Sequence, residues 1–419
     1  MANSPYVSFV VTTRNDDHGG GLLRRTQTFI NALMGQLARY PLPTELLIVE
    51  WNPPADRPRL KDALQWPTER SGCEVRFIEV PREIHERYHH ADAMPLYQMI
   101  GKNVGIRRAA GQFALATNID LIFSDELMAF LAGKTLEQGH MYRIDRHDVM
   151  ADVPVNGPVT EQLSYCQSHL LRIHTRQGTL PIDLGRAKII SAPPMDNSPH
   201  VMNDTAPAAS DTLTPAPTPA APKPPGFLRK VAGVAHRAAN GGPAIPVWVP
   251  VPRPVRRVLR AMLNVQDNAP AEADPPIDPA ESPLREKSRC LPAEIHTNAC
   301  GDFTLMATQD WYALRAYPEW DMYSMHMDSV LCLAAYFGGI EQVVLPDPMR
   351  IYHMEHGSGW TPEAELQLFA RLEAKGIGWL DFGDLVLMAD QMKRLQSPMI
   401  FNKDDWGLRD CVLPESVLD

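Results

Sequence analysis

One carboxylate stands where the sequence pattern otherwise indicates the interior of a sheet. Asp120 lies in FALATNIDLIF, between the apolar runs 113–116 and 121–123. An aspartate at a strand end commonly caps a turn or pairs with a basic residue. It can also hold a divalent cation, because hard cations prefer oxygen ligands. The sequence leaves both interpretations open for Asp120.

A second group of ligand-type side chains occurs late in the chain, in IYHMEHGSGW. His353, Glu355 and His356 fall within four residues, and Gly357 and Gly359 follow them. Such a group could bind Zn²⁺, although no nearby cysteine offers a fourth ligand for a closed zinc site. The alternative is a partly buried turn whose histidines are satisfied by the backbone.

A third candidate lies in HMDSVL, where Asp328 follows His326 by two positions. A carboxylate can accept the proton of a hydroxyl group that attacks a reacting carbon. The same aspartate would also be favourable as an ordinary acid in the first turn of a helix, where the helix dipole favours negative charge.

Composition limits the class of protein. The chain has 419 residues, 44% hydrophobic residues and a formal net charge of -10. It is therefore long enough for a full hydrophobic core and is not built to coat nucleic acid. The six cysteines are scattered without a C-x-x-C motif, which favours reduced thiols in the cytoplasm. We also expect no signal peptide and no membrane-spanning segment.

Proline divides the chain. Many of the 39 prolines fall between residues 193 and 292, in stretches such as TPAPTPAAPKPPG. This composition predicts a disordered insert. Within it, segment 227–264 is basic and amphipathic, which suits an anionic membrane surface and a peripheral location on the inner membrane face. A solvated linker or a partner-binding segment is the alternative.

The flanks of the insert, 1–192 and 293–419, are predicted to form two halves of one folded unit. Apolar runs alternate with helical patterns in the first flank, which predicts an α/β fold with a mostly parallel central sheet flanked by helices. Ligands bind such sheets at the carboxyl ends of the strands. The predicted strands are VSFVV (7–11), ELLIVEW (45–51), VRFIEV (75–80) and FALATNIDLIF (113–123). The predicted helices span 22–37 and 97–111, and the tail beyond residue 360 is predicted to be helical.

The order of these motifs resembles the GT-A class of glycosyltransferases, the family-2-like group especially. The resemblance covers roughly residues 5–130 and 295–360. It rests on VSFVVTTRND, ELLIVEW, KNVGIRRAAGQFALATNID, ACGDFTLM and HMDSVLCL. The family's D-x-D metal motif reads N-I-D here, so Asn118 takes the first position and Asp120 alone keeps the carboxylate.

The resemblance implies a Rossmann-like GT-A fold and a role for each matching residue. The implied nucleotide-binding residues are Thr12, Arg14, Asn15, Glu50, Lys102, Asn103 and Asn118, with Asp16 or Asp17 as a further candidate. Residues implied to lie against the donor sugar and acceptor are Cys300, Gly301 and Asp302. The implied catalytic residues are Asp328 as base and His326, and the implied metal ligands are Asp120, His356 and His353. For Lys102, an ordinary solvated helix lysine is an equal alternative.

The implied activity is transfer of a sugar from a UDP- or GDP-linked donor to a hydroxyl of a glycan or glycolipid acceptor. Mn²⁺ or Mg²⁺ would assist, and direct displacement with Asp328 as base would invert the anomeric centre. One alternative is a nucleotidyltransferase, for which HGGG (18–21) followed by Arg24 and Arg25 is a faint phosphate loop. Another is a non-catalytic nucleotide-binding scaffold of the same fold.

Overall fold

The structure, a computed structural model, describes residues 4–182, 291–292, 294–356 and 362–418, the last range with side chains from 365 onward. The predicted basic segment 227–264 and almost all of the predicted insert lie outside the described residues, as do Gly357 and Gly359. One compact unit is formed by Met1–Ser198 and Asp274–Asp419.

A large mixed sheet of eight strands forms the centre of this unit, with the order β11-β6-β10-β4-β1-β2-β3-β13. Strands β3, β2, β1 and β4 run parallel, whereas β10 is antiparallel to β4 and to β6. The predicted α/β class is therefore confirmed, with a mixed sheet. Its strands are β1 (Val7–Thr13), β2 (Thr44–Trp51), β3 (Glu74–Val80), β4 (Phe113–Thr117), β6 (His140–Arg143), β10 (Phe303–Ala307), β11 (Glu341–Val344) and β13 (Glu415–Val417).

A second sheet has five strands in the order β5-β12-β7-β8-β9. Its existence corrects one expectation, because FALATNIDLIF is two strands in two different sheets rather than one strand. The polar residues at 117–118 end the first apolar run, and the chain crosses to the second sheet there. The strands of the second sheet are β5 (Leu121–Phe123), β7 (Arg146–Val149), β8 (Leu170–Thr175), β9 (Gly178–Pro181) and β12 (Ile351–Met354).

Helices cover the sheets, and none of those described combines the length and the apolar character needed to span a membrane. The main helix of the first flank was predicted at 22–37, and the structure places it at Leu22–Arg39. The described helices are α1 (Leu22–Arg39), α2 (Leu60–Ala63), α3 (Arg82–His85), α4 (Gln98–Arg107), α5 (Asp125–Ala132), α6 (Val159–Ser168), α7 (Thr308–Leu314), α8 (Met327–Phe337), α9 (Pro362–Ala374) and α10 (Phe382–Leu395).

Two further expectations are corrected. The helix predicted at 97–111 ends at Arg107, because the amides of Ala110 and Gly111 donate to the side chains of Glu45 and Ser8 instead of continuing the helix. The tail beyond residue 360 was expected to be helical throughout. It ends instead in β13, which pairs antiparallel with β3 at the edge of the large sheet.

Helix α4 packs closely on the sheet because glycines face the strands. A Cβ built on Gly105 would overlap the Val10 side chain and approach Cγ2 of Val49 at 3.2 Å. A Cβ on Gly101 would likewise overlap the side chain of Thr12. These glycines bring the helix against the carboxyl end of β1, where the polar residues gather.

Two helical glycines should therefore respond oppositely to alanine. Gly105→Ala should destabilise the fold by about 1–3 kcal/mol, since overpacking outweighs the better helix propensity. Gly35→Ala should stabilise it by about 0.5–1 kcal/mol, because a Cβ there would meet its nearest neighbour, Cβ of Val159, at an ordinary 3.7 Å. Thermal denaturation of both variants is the measurement, and equal shifts would contradict the packing described.

Candidate functional site

The crossing between the two sheets places Asp120 at the candidate site. Strand β4 ends at Thr117 in the large sheet, and β5 begins at Leu121 in the small one. The N-I-D residues form the connection at the carboxyl end of the parallel strands, where α/β proteins commonly bind ligands. Asp120 itself is buried, with 8% of its surface exposed.

Strand register then places a histidine beside Asp120. Strand β12 runs antiparallel to β5, with His353 opposite Leu121. The amide of Met354 donates to the backbone carbonyl of Asp120 at 3.0 Å. His356 follows the strand by two residues. Two segments far apart in the chain are thus joined by a backbone ladder.

Asp120, His353 and His356 form one cluster. Each offers a ligand atom, and these atoms lie within 4.8 Å of one another. Oδ2 of Asp120 is 3.2 Å from Nε2 of His356 and 3.8 Å from Nε2 of His353. The three residues implied as metal ligands are therefore adjacent in space.

Electrostatics keep Asp120 ionised. Burial acts to raise the pKa of its carboxyl group, but the hydrogen bond from His356 and the charges of His353, His356 and Arg25 outweigh that effect. The pKa is therefore held well below its ordinary value. An ionised carboxylate beside two imidazoles is the protonation state that a cation would require.

Asp148, a buried carboxylate that was not among the residues predicted from the sequence, orients His353. Asp148 lies on β7, opposite His353 in the parallel pairing of β7 with β12. Its Oδ1 is 3.2 Å from Nδ1 of His353, which leaves Nε2 directed towards Asp120. A carboxylate on the far nitrogen of a histidine is the usual arrangement behind a metal-binding imidazole.

Asp148 is also the centre of a charge network and is completely buried. Nε2 of His174 and Nε of Arg172 each contact its Oδ2, at 2.9 and 2.5 Å, and Nε of Arg146 lies 2.9 Å from its Oδ1. Burial would raise its pKa, but the hydrogen bonds from His174 and His353 and the charge of Arg146 hold it far below the ordinary value. In the sequence, RHDV places Arg146 and His147 directly before Asp148, and this pattern alone does not mark a site.

In the part of the chain that the structure describes, one buried oxygen of the cluster lacks a hydrogen-bond partner, which is what a cation-binding site would show without its cation. Oδ1 of Asp120 is buried and has no hydrogen-bond partner among the described residues. A buried polar atom without a partner is costly unless a ligand satisfies it. One carboxylate with two imidazoles is a donor set that could hold a divalent transition-metal ion, with Mn²⁺ better matched than Mg²⁺.

A glycine loop closes one side of the cluster. Residues 19–21 all have positive φ angles, and a Cβ on Gly19 would lie 2.5 Å from Nδ1 of His356. Arg25 fixes the loop by donating to the carbonyls of His18 and Gly20. The loop therefore contributes shape and close approach rather than free charge.

A cavity of about 410 Å³ adjoins the cluster, a size within the range of small-molecule sites. Four residues implied in nucleotide or metal binding line it: Thr12, Arg14, Asn118 and Asp120, with Asp16 beside them. Arg14 donates to Asp16 at 2.8 Å and to the carbonyl of Asn52 at 2.6 Å, so its position is fixed.

Two implied nucleotide-binding residues lie behind this cavity rather than in its lining. Asn15 is 1% exposed and donates to the carbonyl of Pro58 at 3.0 Å. Glu50 is 3% exposed and accepts the amide of Leu60 at 3.1 Å. Burial raises the pKa of Glu50 to about 7, against the opposing effects of the Leu60 amide and the charge of Arg59.

Lys102 and Asn103 do not lie where an exposed phosphate-binding role requires. Lys102 is fully buried and donates to the carbonyl of Gly301 at 2.5 Å, and burial lowers its pKa to about 8 despite several nearby acids. Asn103 donates to the carbonyl of Tyr317 at 2.8 Å and accepts the amide of the same residue at 3.0 Å. Both residues join α4 to the second flank. The solvated-lysine alternative is wrong for Lys102.

The Cys300–Asp302 stretch is buried next to the site and contacts it through Asn118. Cys300 is completely buried, and burial raises the pKa of its thiol well above the ordinary value. Asp302 is engaged by Nη1 of Arg146 and by Nδ2 of Asn118, each at 2.5 Å. Gly301 leaves room for Asp328, since a Cβ there would approach Oδ2 of that carboxylate at 3.0 Å.

Asp328 lies in the first turn of α8, half-buried, with Oδ1 accepting the Ser329 amide at 2.8 Å. The charges of Asp302, Asp328 and Asp120 all act on buried Lys102, so the early and late acids lie within electrostatic reach of one lysine. His326 occupies a left-handed backbone position before the helix. Burial lowers its pKa, opposed by the charges of Asp328 and two acids of α10.

Glu355, considered as a ligand-type residue, forms an ion pair with Arg172 instead. The structure thus brings together Asp120, His353 and His356, and keeps Glu355 in the charge network around Asp148.

Comparisons with protein-family models and with curated proteins found no match.

The raised pKa of Glu50 predicts a pH-dependent stability. The folded state keeps a proton that the unfolded state loses between about pH 4.5 and 7, so stability falls as pH rises through this window. Glu50→Gln should remove this loss and gain up to about 3 kcal/mol relative to wild type at pH 8, with little gain at pH 4. Urea denaturation at both pH values measures it. Glu74→Gln, on exposed Glu74, is the control and should show no such difference.

The cluster predicts a metal-binding phenotype that does not depend on any activity. Asp120→Asn should weaken Mn²⁺ binding at least about tenfold, because it removes the charged oxygen ligand. Titration calorimetry measures the affinity, and Asp152→Asn, at an aspartate with 86% of its side chain exposed, is the matched control. Equal Mn²⁺ affinity in wild type and Asp120→Asn would mean that the cluster is not the metal site.

Proposed function

We propose that this protein is a metal-dependent glycosyltransferase of the hexosyltransferase type that uses a nucleotide-sugar donor. The observation that carries the proposal is the Asp120, His353 and His356 cluster at the carboxyl end of the parallel strands, beside the cavity. The N-I-D position and the late histidines come from different flanks of the chain. Their convergence is what a single nucleotide-sugar site requires.

The polar part of the cavity suits the donor. Thr12, Arg14 and Asn118 line it and would contact the nucleoside. Asp120, His353 and His356 would hold a divalent cation, which supplies neutralisation of the negative charge on the departing diphosphate. Asp148 keeps His353 oriented for that role.

Asp328 supplies the proton acceptor of the proposed transfer. An acceptor hydroxyl forms the new bond to the anomeric carbon, its proton passes to Asp328, and the bond from that carbon to the diphosphate oxygen breaks with its electron pair on the leaving nucleotide. Attack from the side opposite the leaving group inverts the anomeric centre. Gly301 keeps the space beside Oδ2 of Asp328 open.

The contacts of the glycine loop disfavour the nucleotidyltransferase alternative. Arg24 donates to the carbonyls of Ala151 and Val153, at 2.6 and 2.8 Å, and Arg25 donates to carbonyls of its own loop. Both guanidinium groups are thus occupied by backbone rather than presented to a triphosphate. The non-catalytic scaffold remains the other hypothesis, and turnover of a nucleotide-sugar by the protein would exclude it.

Activity assays with purified protein test the proposal. Wild type should release nucleoside diphosphate from a UDP- or GDP-sugar with Mn²⁺, and chelation of the metal should stop the release. Asp120→Asn should lower the rate at least about a hundredfold, which corresponds to roughly 3 kcal/mol of transition-state stabilisation. Asp152→Asn should retain the wild-type rate.

The base is tested separately. Asp328→Asn should lower transfer at least about a hundredfold while leaving the affinity for the nucleoside diphosphate within about twofold, because the carboxylate acts only on the acceptor proton. Release of pyrophosphate from a nucleoside triphosphate would instead support the nucleotidyltransferase. Absence of turnover with every nucleotide-sugar, alongside intact nucleotide binding, would support the scaffold.

A further inference from the structure

Helix α9 presents an unusual face to the cavity. The cavity is lined by Leu368, Arg371 and Leu372 of the helix and by Lys375, which directly follows the last helical residue and continues the i, i+3, i+4 and i+7 spacing of one helix side. A helix face that covers a core is ordinarily apolar along its whole length. This face alternates apolar side chains with two cations one turn apart.

A second wall of the cavity is largely apolar and aromatic. It includes Trp320, Met322, Tyr323 and Met327. Met327 directly precedes Asp328 in the chain. A neutral oligosaccharide would need many hydrogen-bonding side chains here, and among the described residues this wall offers Ser324, the phenol of Tyr323 and the indole N–H of Trp320.

Contacts of the segment that follows α9 connect the helix to that wall. The amide of Tyr323 donates to the carbonyl of Gly378 at 2.9 Å, and Met322 packs against Gly378. Phe369 of α9 stacks on Trp379 with ring centroids 4.9 Å apart. Helix α9 is therefore linked to the loop before Asp328 through Gly378 and Trp379.

The two cations lie at the mouth of the cavity and the apolar groups lie deeper. Arg371 and Lys375 are exposed, whereas Leu372 is 6% exposed and Met327 2%. Within the described part of the chain neither cation has a carboxylate partner. Burial raises the pKa of the Tyr323 phenol, and the charge of Arg371 opposes that rise, so the guanidinium lies within electrostatic reach of that phenol.

We propose that α9 and the 320–327 loop bind an anionic amphiphile as the acceptor, with its apolar chain against the cavity wall and its phosphate group at Arg371 and Lys375. The role of this ligand as acceptor rests on the proposed glycosyltransferase activity, whereas its binding does not. Phosphate suits the two side chains because charge-assisted hydrogen bonds from arginine and lysine to phosphate are strong and directional. A lipid-like alcohol bearing a phosphate has the required hydroxyl, charge and chain.

Three probes separate the contribution of the phosphate charge to binding from that of the apolar chain. Glycerol 3-phosphate has the charge, 1-octanoylglycerol has the chain, and 1-octanoylglycerol 3-phosphate has both. Titration calorimetry with the full chain, without donor or metal, gives their affinities. The probe with both groups should bind at least about tenfold tighter than either partial probe, since burial of several CH₂ groups and the charge contacts add. Equal affinities, or no binding of the complete probe, would overturn the proposal.

Variants locate the binding. Arg371→Gln combined with Lys375→Gln should weaken the complete probe about tenfold and leave 1-octanoylglycerol unchanged. Leu368→Gln should weaken both chain-bearing probes severalfold. Matched controls are Lys393→Gln, an exposed cation of α10, and Leu366→Gln, an exposed leucine of α9 with 65% exposure. Controls that weaken binding as much as the test variants would place the probe elsewhere.

The outcomes are distinguishable from those of the proposed function. If the double variant weakens UDP binding but not binding of the complete probe, the cations serve the donor and this inference is wrong. If the complete probe binds as described while no nucleotide-sugar is turned over, the amphiphile site stands and the glycosyltransferase proposal falls. If Mn²⁺-dependent turnover occurs but the α9 variants do not weaken binding of the complete probe, the glycosyltransferase proposal stands and the amphiphile inference is wrong.

Discussion

The buried carboxylate of Asp148 is the interaction on which the candidate site depends. It is completely enclosed, so its charge is tolerable only because Arg146, Arg172, His174 and His353 surround it. These partners come from its own strand and from the strands on either side of it in the small sheet. The same contacts that stabilise the carboxylate therefore fix the orientation of His353 and join the small sheet to the metal-type cluster.

Much of the fold could be predicted from local patterns. Strands β1 and β2 are centred on largely apolar runs, β3 mixes apolar and charged residues, and α1 has a clear helical period, so their positions agree with the sequence to within a few residues. The small sheet could not be found in this way. Its strands are short, several are polar, and their pairings depend on contacts such as that of Asp148 with His353, which are 205 residues apart.

The same contrast between local sequence patterns and long-range contacts applies to the residues of the candidate site. Asp120 and the two histidines could be identified because their residue types suggest metal ligation wherever they are placed. Asp148 could not, since its importance comes from strand register, which places it opposite His353 of β12 and Arg172 of β8. Lys102 was recognised as notable, yet full burial against the carbonyl of Gly301 depends on close glycine packing beneath α4 that a single sequence does not reveal.

Strand β10 has a consequence for biosynthesis. It comes from the second flank, yet it lies between β4 and β6 in the large sheet. A nascent chain that has emerged only as far as Arg143 would present β4 and β6 with open edges and no strand to join them, and such edges invite association with other chains. The ribosome must deliver Phe303–Ala307 before the sheet closes. Closure of the large sheet is thus delayed until the second flank emerges, and until then the open edges would favour binding of chaperones.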